Sequence, residues 1–255
     1  MKRRLLPLYT GLVYFFLYAP ILVLVVFSFN ESKLNATWTG FTLEWYARLI
    51  HDRPILEAMR NTVMVALVST AASTVIGTAA ALAMHRFTFR GKRLLEAVLY
   101  IPIVIPEIVM GVSLLAIYVL LRFRLGLGTV IIAHIAFSIS FVTVTVRARL
   151  HGFNRALEEA AMDLGADEWT TFRRVTFPLI LPGVLSGALL ALTLSLDDFI
   201  ITFFTAGPGS TTLPLRIYSM LKLAVTPEVN ALSTVMLAAT LLFVTLSQRL
   251  QKKGM

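Results

Sequence analysis

Six apolar stretches, at roughly 8–29, 62–84, 94–121, 128–146, 178–204 and 229–248, restrict this chain more than any other feature it has. Crossing ~30 Å of hydrocarbon as a helix takes about 20 apolar residues, and each stretch meets that length. A composition of 57% hydrophobic and 15% charged residues, with a mean hydropathy of +0.80, leaves too little polar surface for an ordinary soluble domain. The expected fold is therefore an all-α integral membrane protein with six transmembrane helices. No internal repeat, low-complexity tract or linker divides the sequence, so one transmembrane domain over 1–255 is expected. Lys2, Arg3 and Arg4 precede the first stretch as they would in a signal peptide. That stretch is too long for a signal-peptide core and no small-x-small cleavage site follows it, which predicts an uncleaved helix. The absence of cysteine excludes disulfides and a thiolate metal site, and no cofactor is expected.

Basic residues orient such a protein, because they are enriched in cytoplasmic loops. With both termini inside, the cytoplasmic segments hold 15 of the 23 lysines and arginines, among them Arg86, Arg90, Arg147, Arg155, Arg173 and Arg174. The net charge of +9 is then a topology signal rather than a nucleic-acid footprint, and no recognisable nucleic-acid-binding module accompanies it. This orientation places the polar segment 147–177 in the cytoplasm. The predicted location is a bacterial inner membrane.

That polar segment has the makings of a helical hook. Asn154 can cap a helix whose first turn carries Glu158 and Glu159, where carboxylates favour the helix dipole, and Gly165 can end it in the left-handed conformation. Asp167 can cap a second helix through Trp169, Phe172 and Val175, and Pro178 can begin a third, its missing N–H costing nothing in a first turn. Ala160 and Ala161 leave room for a partner, and Leu157, Leu164 and Trp169 supply apolar anchors. The same residues would equally serve an amphipathic connector on the membrane surface.

The spacing Glu159-Ala160-Ala161, three residues, Gly165, nine residues, then Val175-Thr176-Phe177-Pro178 resembles the EAA loop of permease subunits of bacterial ABC importers, with Val175 and Phe177 in place of the usual Ile and Leu. The resemblance implies the type I ABC importer permease fold, with a coupling loop at about 150–177 that docks into a groove on an ATPase subunit. Glu159, Ala160, Ala161, Gly165, Trp169 and Pro178 are then the ATPase-coupling residues. The chain itself has no Gly-x-x-x-x-Gly-Lys-Ser/Thr, so it is not expected to hydrolyse ATP. Leu185-Ser186-Gly187 lies inside an apolar helix and reads as packing, as does the GxxxG spacing of Gly183 and Gly187.

Carboxylates inside apolar stretches are costly, about 2.5–3.5 kcal/mol each on insertion scales, and usually face water or a partner. Glu107, near the middle of the third stretch, and the adjacent Asp197 and Asp198, in the outer half of the fifth, are therefore candidate site residues. Neighbouring helical residues diverge by about 100°, so the two aspartates cannot share one direction, and one can cap or bond locally instead. An internal salt bridge or a protonated acid is the alternative for Glu107, although no stretch contains Lys or Arg to pair with it. Three acids without an intramembrane base predict an electronegative passage suited to a cation. Trp45 and Tyr218 can offer aromatic faces to an ammonium group, or anchor the headgroup layer or pack. Ser195 can add a hydroxyl near the acids, or bond back to a helix carbonyl. His134, lone on an apolar helix, reads as a satisfied buried imidazole.

Over nearly the whole chain, Leu17-Tyr18-Ala19-Pro20, Phe27-Ser28-Phe29-Asn30, Trp38-Thr39-Gly40-Phe41, Leu194 to Asp198, Gly207-Pro208, Leu213 to Ser219 and Pro227 to Ala231 look like the spermidine/putrescine permeases of the C type. This resemblance implies a polyamine importer working by alternating access, with a dimeric ATPase, a second related permease, an external solute-binding protein and the lipid bilayer as partners. Relatives for opines, phosphonates and other solutes share much of this framework, and an ATP-independent channel or secondary transporter is the more distant alternative.

Overall fold

The computed structural model of the protein describes residues 2–32 and 37–253; the side chains of 2–6, 8 and 246–253 lie outside the described part, and with them Lys2, Arg3, Arg4, Arg249, Lys252 and Lys253 of the charge argument. The described chain is helical, with a single isolated antiparallel bridge between Asn30 and Phe41. Five helices are long and apolar enough to cross a membrane, and a sixth crossing is available if one bent pair counts as a span. Contacts divide the chain into two compact units, Met1–Glu57 with Leu215–Leu241, and Ala58–Pro214 with Leu242–Met255.

The first unit holds α1 (Lys2–Phe27), α2 (Glu44–His51), the start of α3 (Arg53–Arg86), most of α11 (Leu213–Leu221) and the first half of α12 (Pro227–Lys253). Asp52 Oδ1 accepts the Ile55 amide at 3.0 Å and so caps α3, with Pro54 in a first-turn position where no N–H is needed. The side chain of Asn30 replaces a missing sheet partner for the loop: its Nδ2 donates to Thr37 O and its Oδ1 accepts from the Thr39 amide.

In the second unit the third apolar stretch departs from the expected single helix. It forms α4 (Lys92–Val104) and α5 (Glu107–Leu120), bent by 116° at the break. The cause is Pro106, which offers no N–H and forces the residue before it out of the helical region; Ile105 is extended at φ −76°, ψ 136°. Hydropathy averages over such a break and does not register it. The fifth stretch also departs from expectation. Its helix, α9 (Phe177–Asp197), ends at Asp198, which is extended at φ −61°, ψ 124°, and the short α10 (Ile200–Thr205) follows.

At the centre of this unit is α6 (Leu127–Leu150), buried along much of its length between α3 and α9. Small residues let the backbones approach. A β-carbon on Gly77 would sit 2.8 Å from Val142 Cβ and 3.0 Å from Ile139 O, and one on Gly187 would sit 3.3 Å from Val142 Cα. Gly183 meets Arg149 in the same way, so the GxxxG pair on α9 does pack against a neighbouring helix. Ala81, Val142, Val146, Leu150, Ile180, Val184 and Ala191 form the resulting core. A second core joins Ala133 and Phe137 of α6 to Ile201 of α10, with Met110 and Leu114 of α5 against it. Because overpacking a tight contact costs roughly 1–3 kcal/mol, Gly77→Ala is expected to lower the melting temperature of the purified protein, with Gly11→Ala, which meets nothing within 4 Å, as the neutral control.

Candidate functional site

The two helix breaks bring the sequence-predicted acids together. Glu107 is the first residue of α5 and exposed, not mid-helix as expected, and a carboxylate there is favoured by the helix dipole. Close packing of α5 on α10, with Gly111 directly against the Phe204 ring and near Ile200 O, sets Glu107 within electrostatic reach of Asp198 and Asp197. Asp197, the last residue of α9, is exposed. Asp198 turns the other way. Its side chain is only 5% exposed; Oδ1 accepts the Ile201 amide at 3.2 Å, and Oδ2 accepts the Thr202 amide and hydroxyl, both at 2.8 Å. The local bonding expected of one aspartate thus falls to Asp198, which caps α10.

Asp198 has a further partner from α6. His134 is buried with both ring nitrogens occupied: Nε2 lies 2.9 Å from Thr202 Oγ1 and 3.2 Å from Asp198 Oδ2, and Nδ1 lies 2.7 Å from Ser195 Oγ. Ser195 is buried too, and its Oγ lies 3.1 Å from Ser69 Oγ. The expectation of a satisfied imidazole holds. Its pairing with Asp198 was invisible in the sequence, where the only trace is the cluster Ser195, Asp198 and Thr202 at spacings of three and four.

Trp45 and Tyr218 belong to the other unit. Trp45 is buried, its Nε1 donates to Asn30 O at 2.8 Å, and the Arg48 guanidinium lies 4.9 Å from its ring centroid. Lys222 Nζ is 4.7 Å from the centroid of Tyr218. Each aromatic face therefore already carries a cation from its own helix, rather than standing open to an ammonium ligand.

The hook segment folds from its own local signals. Asn154 Oδ1 accepts the Ala156 amide at 3.0 Å at the start of α7 (Ala156–Asp163). At its end Gly165 takes φ +88°, its amide donates to Met162 O at 2.9 Å, and the Ala166 amide donates to Ala161 O at 3.1 Å. Those two bonds form a Schellman motif, which satisfies carbonyls the helix end would otherwise leave bare. Asp167 caps α8 (Glu168–Thr171) through the Thr170 amide at 2.9 Å, and hydrogen bonds from Thr170 hold its exposed carboxyl below the ordinary range.

Pro178 does not open a separate helix. The chain runs from α8 through a π-turn at Phe172–Thr176 directly into α9, and the Phe177 amide reaches Phe172 O, five residues back. The wider turn suits proline, whose ring would clash with a carbonyl four residues earlier in an α-helix. Glu159 and Ala160 are exposed, Ala161 is half-buried, and Leu164 and Trp169 stand 90% and 64% exposed. One element of the hook went unrecognised in the sequence. Glu158 is buried and bound by both Arg86 Nη2 and Thr176 Oγ1, and Arg86 Nη2 also donates to Thr176 Oγ1 at 3.1 Å. This clasp ties α7 to the end of α3 and to the π-turn. Arg86 enters the sequence argument only through topology, and Glu158 only through the helix dipole.

Residues 73–253 match the family described as the binding-protein-dependent transport system inner membrane component. The chain is 43% identical to the spermidine/putrescine transport system permease protein PotC of Haemophilus influenzae over 95% of this chain and 94% of that protein. It is 41% identical to the putrescine transport system permease protein PotI of Escherichia coli K12, over 88% and 82%. Among solved structures, it resembles a chain of a bacterial alginate ABC transporter in complex with an alginate pentasaccharide-bound periplasmic protein, with a TM-score of 0.76 at 18% identity over 99% of this chain and 96% of that one. A chain of the inward-facing MetNI methionine ABC transporter superposes with a TM-score of 0.65 at 19% identity, over 80% and 99%.

Proposed function

The chain belongs to the family of binding-protein-dependent transport system inner membrane components, and on that premise we propose that it carries a polyamine, spermidine or putrescine, into the cytoplasm. As a permease component of an ABC importer it is not a catalytic subunit. The observation that carries the cargo reading is the pair of exposed carboxylates, Glu107 and Asp197, at two adjoining helix breaks in apolar stretches that hold no lysine or arginine. A helix break frees backbone carbonyls as well, and such a site attracts a multiply charged ammonium chain while repelling anions. The names of the two relatives above 40% identity agree with that chemistry.

In this reading the chain forms a single transmembrane permease domain with both termini in the cytoplasm. It pairs with a second, related permease, receives cargo from an external solute-binding protein, and couples to an ATPase dimer through the hook. Glu159, Ala160, Ala161 and Gly165 shape the docked helix, Leu164 and Trp169 insert as apolar anchors, and Pro178 sets the π-turn behind them. ATP-driven closure biases two arrangements of the helices, because only differential affinity for the two states can shift them. Asp198 and Ser195 shape the cargo site from within the core, and Trp45 and Tyr218 contribute at most by exchanging their own cations for the cargo.

Uptake of labelled spermidine and putrescine by the complete transporter in proteoliposomes tests the reading. Losing one partly solvated charge pair of ~1.4 kcal/mol corresponds to a tenfold change in affinity, so Glu107→Gln and Asp197→Asn are each expected to raise the half-saturating concentration about tenfold at matched abundance. Alanine at Trp45 or Tyr218 is expected to cost less. Wild-type uptake by both amide variants would remove the acids from cargo recognition.

A further inference from the structure

The hydrogen count around His134 has one consistent solution. Thr202 has a single hydroxyl hydrogen, which it donates to Asp198 Oδ2, so at 2.9 Å from that hydroxyl the His134 Nε2 must itself carry a hydrogen. That N–H lies between Thr202 Oγ1 and Asp198 Oδ2. With Nε2 protonated, the Nδ1 of a neutral ring accepts from Ser195 Oγ, which leaves the Ser195 oxygen to accept from Ser69. Every hydrogen in the chain Ser69, Ser195, His134, Thr202 then points toward one carboxylate. The ring joins three elements at the α9–α10 break: the last turn of α9 through Ser195, the break itself through Asp198, and α10 through Thr202.

From this arrangement we infer that His134 is a positioning residue for cargo recognition, which holds the Asp198 carboxylate inward and thereby aims the adjacent Asp197 outward. The inference rests on the reading of Asp197 as a cargo carboxylate. Two aspartates in sequence across an extended residue must diverge, and which one faces the core is decided by which finds donors there. Asp198 finds four: two backbone amides, the Thr202 hydroxyl and the imidazole. Without the imidazole the ring no longer bridges α6 to the break, and the direction of Asp197 loses its fixed reference.

A double-mutant cycle on the complete transporter tests this. His134→Asn places an amide near the Nδ1 position and cannot reach Asp198, whereas His134→Gln extends a donor toward the Nε2 position. If His134 acts through Asp197, His134→Asn raises the half-saturating spermidine concentration about tenfold when Asp197 is present and less than about twofold in an Asp197→Asn background. His134→Gln stays within about threefold of wild type. Should His134→Asn not accumulate in the membrane, Thr202→Val, which removes the hydroxyl shared by His134 and Asp198, takes its place in the cycle with the same expectation. An equal change in both backgrounds, a change confined to the maximal rate, or no change overturns the positioning role. If Asp197→Asn alone transports like wild type, the cargo reading fails and the inference falls with it; if Asp197→Asn is impaired but the cycle is additive, only the inference fails.

Discussion

Gly165→Pro is expected to abolish import while the chain still accumulates in the membrane. Gly165 sits at φ +88°, and proline is locked near −65°, so the turn that ends α7 cannot form around it. Proline also deletes the amide that donates to Met162 O, one of the two bonds of the Schellman motif. The second bond, from Ala166 to Ala161 O, depends on the same turn. Gly165→Ala separates backbone strain from crowding, since a β-carbon there meets nothing within 4 Å and costs only about 1 kcal/mol through the left-handed conformation. The alanine variant should therefore retain partial import. Cargo-stimulated ATP turnover by the reconstituted transporter is the measurement, with retention of the ATPase subunit on purification beside it. Undiminished turnover in Gly165→Pro would sink the assignment of this segment as the coupling hook.

The second large effect lies at the clasp. Removing one partner of a buried ion pair leaves the other charge uncompensated and costs roughly 3–5 kcal/mol, whereas replacing both with apolar groups is often close to neutral. Glu158→Leu leaves the Arg86 guanidinium facing only Thr176, and Arg86→Leu leaves a carboxylate whose side chain is 10% exposed with a single hydroxyl donor. Each single variant is expected to lose stability toward the lower end of that range, because the Arg86 side chain keeps 30% exposure and water can reach it. The double variant should recover most of the loss. Thermal unfolding of the four proteins in detergent decides it, and equal melting temperatures would show the clasp to be energetically idle. The neighbouring Glu159 is exposed, so Glu159→Leu should leave the melting temperature unchanged and act on coupling alone.

The contrast between Glu158 and Glu159 shows where sequence reasoning stops. Two adjacent glutamates in a first helical turn look alike in the sequence, and only the 100° between them separates a buried structural residue from an exposed one. The choice is made by Arg86 and Thr176, 72 and 18 residues from Glu158. The two aspartates at the α9–α10 break repeat the pattern, with the core side chosen by a histidine on another helix. For Trp45 the sequence permits an open aromatic face, and the fold closes it with Asn30 and Arg48.

By itself the amino-acid sequence determined whatever depends on neighbours within a turn or on bulk transfer from water. The apolar stretches had to become helices because hydrocarbon offers no other partner for their amides. Asn154, Gly165 and Asp167 had to shape the hook because caps and left-handed turns are made within four residues. The tertiary structure alone decided whatever depends on which helices meet. That includes the placement of Glu107 beside Asp197 through the contact of α5 with α10, the burial of Asp198 and Glu158, and the π-turn before Pro178. A buried carboxylate is stable only where donors from distant segments converge on it, and that convergence exists only once the helices have packed.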